Sequence, residues 1–146
     1  MLACTVAKAA TSTVLITGTV LPVLTIAIAG GTPSFNITPE TAINDQNLGT
    51  ITINSNDPEG YDITLASTNS GELENSAADE TIDYTVKYNG APAITLATQT
   101  IVESVSGAPT DGNQTRTLTL SILGADSKNK SAEAFTDTIT MEILGK

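Results

Sequence analysis

The chain has no histidine and no tryptophan, and its 146 residues include one cysteine, three tyrosines and two phenylalanines. Each scarcity removes a class of chemistry. Without histidine there is no Ser-His-Asp triad, no imidazole acid–base pair and none of the usual zinc sites. Cys4 has no intrachain disulfide partner, so the fold must rest on burial and strand pairing, and a thiol with no histidine to activate it is a poor nucleophile. Six basic residues against sixteen acidic ones give a formal charge of −10. Clustered cations for phosphate are therefore missing, which sets nucleic acid aside as a partner, and the same charge repels anionic membranes. No apolar run reaches the roughly 18 residues of a membrane-spanning helix, so no membrane insertion is expected.

No glycine-rich nucleotide loop, Walker A sequence or nucleophile elbow is present either. Carboxylates remain. Asp57, Glu59 and Asp62 surround one turn, and Glu72, Glu74, Asp79, Glu80 and Asp83 form a second acidic group. Hard oxygen ligands suit calcium, but neither group has the spacing of an EF-hand loop, and both read as solvated acidic surface. The expectation is a non-enzyme with no catalytic residue, no metal and no cofactor. Three N-glycosylation sequons, at Asn36, Asn113 and Asn129, are what a threonine-rich chain yields by chance.

What is abundant is Val, Ile, Leu, Ala and Thr. These suit a pleated, half-buried surface, and they recur with period two. Val14, Ile16, Gly18 and Val20 share one face of a candidate strand at 11–20, and Pro22 breaks the run by removing a ladder donor. Leu24, Ile26 and Ile28 continue to Gly30-Gly31, and a loop is expected at 32–47. Ile51 and Ile53 alternate in "LGTITIN", the turn "NDPEG" follows, and Tyr61, Ile63 and Leu65 alternate after it. The two segments read as an antiparallel pair.

Residues 70–81, "SGELENSAADET", have few apolar positions and read as an acidic surface loop. Ile82, Tyr84, Val86 and Tyr88 form one clean alternation, and Asn89-Gly90 is a hairpin signal leading to Ile94 and Leu96. The region through 104–114 is less regular. Two further strands carry Leu118, Leu120 and Ile122, then Ile139, Met141 and Ile143. With no helical period, the expected fold is all-β: an Ig-like antiparallel β-sandwich.

The N-terminus raises its own question. "AKA" at 7–9 has the small-residue character of a secretory cleavage site, and "MLAC" that of a lipoprotein, but neither has the apolar segment that should precede it. Residues 1–9 are either a signal-peptide remnant or the start of a mature arm. A sandwich that ends soon after the strand at 136–144 is expected to be one strand short. The apolar strand at 11–20 then has the character of one given to a neighbour, which is β-augmentation in a head-to-tail series.

At this point the chain resembles a family. "VLITGTVLPVLTIA" (14–27) is similar to the opening of the major subunits of alpha-type chaperone–usher fimbriae, the colonisation-factor pilins. The resemblance continues more loosely through "ITINSNDPEGYDITLAS", "TIDYTVKYNG" and "FTDTITMEILGK", in the same order. Residues 1–9 extend beyond the start of such a mature subunit, and 98–114 has no counterpart. The resemblance implies a donor extension at 1–21, a pilin domain at 22–146 and polymerisation by donor-strand exchange. Val14, Ile16, Gly18 and Val20 become the donor face, and Ile139, Met141 and Ile143 belong to the strand bordering the acceptor groove. It also implies identical subunits, a periplasmic chaperone and an usher as partners, a host or surface receptor as the attachment target, and an extracellular fimbrium as location. The alternative is a self-contained sandwich, a module of a secreted surface-layer or matrix protein, with 11–20 as its own first strand.

Overall fold

A computed structural model describes residues 11–107 and 112–146. The signal-like start at 1–9, including Cys4, lies outside them. The described chain is all-β, with no helix. Its strands are β1 (Leu24–Ala29), β2 (Ile43–Ser55), β3 (Gly60–Ser67), β4 (Glu72–Asn75), β5 (Glu80–Asp83), β6 (Thr85–Tyr88), β7 (Thr100–Ser106), β8 (Gln114–Ile122) and β9 (Ile139–Gly145). One antiparallel sheet has the order β1-β2-β8-β6, a second β7-β3-β9, and β4 and β5 form a small separate hairpin.

The two larger sheets face each other across an aliphatic core. Ile51, Ile53, Val86, Leu118, Leu120 and Ile122 point inward from the first sheet, and Tyr61, Ile63 and Leu65 from the second. All are buried, as period-two alternation requires of strands with one face on a core.

Four expectations need correction. The segments on either side of "NDPEG" are not paired with each other. β2 runs beside β1 and β8, while β3 lies between β7 and β9 in the other sheet. The turn therefore carries the chain from one layer of the sandwich to the other. Gly60 ends this crossing at φ 98°, and a Cβ there would sit 2.0 Å from the Val105 carbonyl oxygen. Only glycine fits.

The loop expected at 32–47 is partly strand, since β2 begins at Ile43. Its pairing with β8 shifts register between Ile43 and Gln46 and again between Asn47 and Gly49. Each bulge inserts a residue and reverses which parity faces inward. The inward positions accordingly run from Ile43 to Gln46 and Leu48, then to Ile51, Ile53 and Ser55. A simple alternation search stops where the parity first reverses. β7 was likewise illegible, because a shift opposite Ile63 and Thr64 interrupts its pairing.

The acidic loop at 70–81 contains most of the β4–β5 hairpin, which buries Leu73, Asn75 and Ile82 while Glu74 and Asp83 face outward. Two apolar side chains suffice for strands this short. Finally, the alternation from Ile82 to Tyr88 keeps all four side chains buried but belongs to two sheets. The ladder changes partner at Tyr84, whose N–H donates to the Gly71 carbonyl at 3.2 Å.

The strand expected at 11–20 joins no sheet. It is described, yet it makes no ladder with any other described residues.

Candidate functional site

Two edge strands face the same side of the sandwich. Among the described residues β1 pairs only with β2, and β9 only with β3. They converge at one end, where a Cβ on Gly145 would lie 3.7 Å from Leu24 Cδ2. Away from that end the interior opens into a groove of about 1030 Å³. Ile26 and Ile28 of β1 and Ile139 and Met141 of β9 line it, over deeper residues that include Leu48, Leu73, Ile82, Leu118 and Leu120.

Both phenylalanines line this groove, and both come from loops: Phe35 from the segment after β1, Phe135 from the segment before β9. Each is only partly buried against the core, as is Ile37 beside Phe35. Sequence reasoning missed these three. The signal was available, since a chain with so few aromatics had placed both phenylalanines in polar loops.

The groove-side end of β9 is held by a polar knot. Asp137 accepts from the hydroxyls of Tyr84 and Ser67, each at 2.5 Å, and from the Asn69 N–H at 3.1 Å. Burial, then the bond to Asp137, raises the Tyr84 phenol above its ordinary value. The loop at 124–138 is tied to the β4–β5 hairpin through Glu80, which accepts from Ser131 N at 2.9 Å and Ser131 Oγ at 2.6 Å. These two bonds hold the Glu80 carboxyl below its usual value.

Another cluster bridges the two sheets. Arg116 on β8 makes a two-pronged contact with Glu103 on β7, at 2.6 and 3.0 Å, and Tyr88 Oη donates to the same carboxylate at 2.5 Å. Burial first, and Glu103 second, push the Tyr88 phenol far up. Every group is partnered within the domain, so the cluster reads as a structural cross-link between layers.

The other expected carboxylates are similarly engaged or scattered. Asp57 Oδ1 accepts from the Glu59 N–H at 3.0 Å, and Asp62 meets Ser104 Oγ at 2.6 Å and Lys146 Nζ at 3.2 Å. Among the described residues no three acidic or thiol groups come together with the geometry to hold a metal ion.

The residues assigned to strand exchange fall in two places. Ile139 and Met141 line the groove; Ile143 is on the same strand and packs against the core without lining it. Val14, Ile16 and Val20 are 84–88% exposed, and a Cβ on Gly18 would meet nothing within 4 Å. Leu15 and Leu21, on the opposite parity, are exposed as well. The arm thus carries its apolar side chains free of its own domain.

Compared with known proteins, the chain matches no protein-family model and no curated protein.

Proposed function

We propose that this protein is a structural subunit of an extracellular fimbrial fibre, polymerising head-to-tail by donating residues 11–20 to the groove of the next copy and so supporting surface attachment. One observation carries the reading. The same chain holds an exposed, alternating apolar arm and an open apolar groove between two edge strands. Large exposed apolar surface and unpaired strand edges are costly in isolation, and each is the natural complement of the other.

The energetics favour exchange. Burying Val14, Ile16 and Val20 contributes about 1.5–3 kcal/mol each. Backbone ladder bonds add modest net terms along the arm. Dissociation requires withdrawing the whole strand, so the polymer is kinetically persistent. Gly18 is the position where a strand without a side chain can lie close to the groove's deepest wall. In this reading a periplasmic chaperone shields the groove before assembly and an usher orders the subunits.

The test is deletion with rescue in trans. A protein lacking residues 1–20 keeps every strand from β1 to β9 and should bind a synthetic peptide spanning 10–21 in a one-to-one complex. Replacing Val14 and Ile16 by Asp in the peptide should abolish binding, because an unpaired carboxylate in an apolar groove is heavily penalised. A full-length chain that stays monomeric at high concentration, with 11–20 protected from hydrogen exchange, would sink the reading.

A further inference from the structure

Pro22 interrupts the backbone between the arm and β1, and it has no N–H to offer a neighbour. The polar groups around it are gathered by one side chain. Asn56 Oδ1 accepts from the Val23 N–H at 2.6 Å, and Asn56 Nδ2 donates to the Leu21 carbonyl at 2.8 Å. The Asn56 backbone N–H also donates to the Val23 carbonyl at 3.1 Å. Three bonds from one residue therefore bracket the proline on both sides.

Asn56 is itself well placed to be rigid. It follows Ser55, the last residue of β2 and the ladder partner of Leu24. Asp57, the next residue, has its N–H accepted by Ser55 Oγ at 3.2 Å and caps Glu59 through Oδ1 at 3.0 Å. The same turn abuts the end of β9, since a Cβ on Gly145 would lie 2.7 Å from Asp57 Oδ2. The arm's root, the crossing between sheets and the end of β9 thus meet at one point.

We infer that Asn56 is a positioning residue: a side-chain clamp that fixes the direction in which the arm at 11–21 leaves the domain. A ladder alone would hold Val23 and leave the chain free to swing at Leu21–Pro22. The amide of Asn56 spans that joint, because it has both an acceptor and a donor, and the two face opposite sides of the proline. This inference rests on the fibre reading for its purpose, since an aimed arm matters when a second copy must receive it. The clamp itself is a property of the single chain and is tested as one.

The experiment uses full-length protein in a Cys4→Ser background, with nitroxide labels on Thr19→Cys near the arm's root and Thr117→Cys on the outer face of β8. Distances are measured by pulsed electron spin resonance in dilute, unassembled protein, with Val14→Asp and Ile16→Asp added wherever the chain multimerises. The clamp predicts one narrow distance population that becomes roughly twofold broader in Asn56→Ala, as an untied segment gains freedom. Asp57→Ala loosens the same turn without touching the arm and should leave the width unchanged. Should Asn56→Ala fail to fold, Asn56→Asp keeps an acceptor for the Val23 N–H but sets a carboxylate oxygen against the Leu21 carbonyl in place of the donor, and should also broaden the distribution. A distribution already broad in the parent, an Asn56→Ala width equal to the parent's, or equal broadening by Asp57→Ala would each overturn the clamp. None of these outcomes depends on whether fibres form. A narrow distribution in a protein that never polymerises would keep the clamp and remove the fibre.

Discussion

Residues 11–20, "TSTVLITGTV", and β8, "QTRTLTLSI", are nearly the same kind of sequence: threonine alternating with aliphatic residues. Leu118, Leu120 and Ile122 are 1–3% exposed, whereas Val14, Ile16 and Val20 are 84–88% exposed. β8 lies between β2 and β6 with a ladder on both sides, and the arm has none. Alternation makes a segment competent to be a strand; it does not supply a partner. The difference lies in where each segment's neighbours are, and the arm pairs with no strand among the described residues.

The largest expected effect separates the two segments outright. Leu120→Ala in β8 should destabilise the domain by about 2–5 kcal/mol, through lost burial and the cavity left behind. Ile16→Ala in the arm should change the thermal unfolding of the unassembled domain by less than about 0.5 kcal/mol, as for an exposed site. In assembly the order reverses. Val14→Asp with Ile16→Asp should eliminate multimers on a gel run without boiling, while leaving the domain's melting temperature alone. If the double substitution unfolds the isolated domain, the arm is packed on its own body and the comparison collapses.

Glycines sharpen the contrast. Gly60→Ala should cost the domain about 1–3 kcal/mol from backbone conformation alone, before its clash with the Val105 carbonyl is added. Gly18→Leu meets only open space in the single chain and should leave the domain's denaturant midpoint unchanged. Its effect should appear in assembly, where overpacking a tight site costs about 1–3 kcal/mol. Normal fibre yield from Gly18→Leu would mean that Gly18 faces outward in the exchanged strand. The inserted face would then be Leu15, Thr17, Thr19 and Leu21, since a one-residue slip reverses every side chain.

A smaller effect distinguishes the domain's cross-link from the arm by pH. The Tyr88 phenol has its folded value raised above 10.0 by burial and by its bond to Glu103. Its contribution is therefore complete below the unfolded value and lost as pH rises beyond it, because the unfolded chain then releases a proton that the folded one retains. Stability should decline above about pH 10, and Tyr88→Phe should flatten part of that slope in denaturant titrations at alkaline pH. An unchanged slope in Tyr88→Phe would assign it to other groups.

The smallest effect is at the acid end and concerns the groove's rim. The Ser131 hydroxyl and N–H lower the Glu80 carboxyl from its ordinary 4.5. A lowered carboxylate contributes fully above its unfolded value and loses that contribution as pH falls through the folded one. The domain's stability to denaturant should then weaken modestly below about pH 4.5, and Glu80→Gln should blunt that pH dependence. Equal acid sensitivity in both proteins would place the titrating group elsewhere.

Period-two alternation by itself determined the fold class and most of the core. Ile51 and Ile53, Tyr61 to Leu65, Ile82 to Tyr88 and Leu118 to Ile122 are buried where the pattern puts them, because one side of a strand against a core must be apolar. It also marked 11–20 as strand-like and Pro22 as a break, both local properties of the residues. Which segments pair was not local. The turn at 56–60 has hairpin chemistry, yet it crosses between sheets because β2 has better partners in β1 and β8. Bulges in β2 and a register shift in β7 break the alternation that would have announced them, and the β4–β5 hairpin needs too few apolar residues to stand out. The groove, its two loop phenylalanines and the Asn56 bonds around Pro22 join residues far apart in the chain. Those contacts are set by how two sheets come together and where their edges are left, which only the tertiary structure decides.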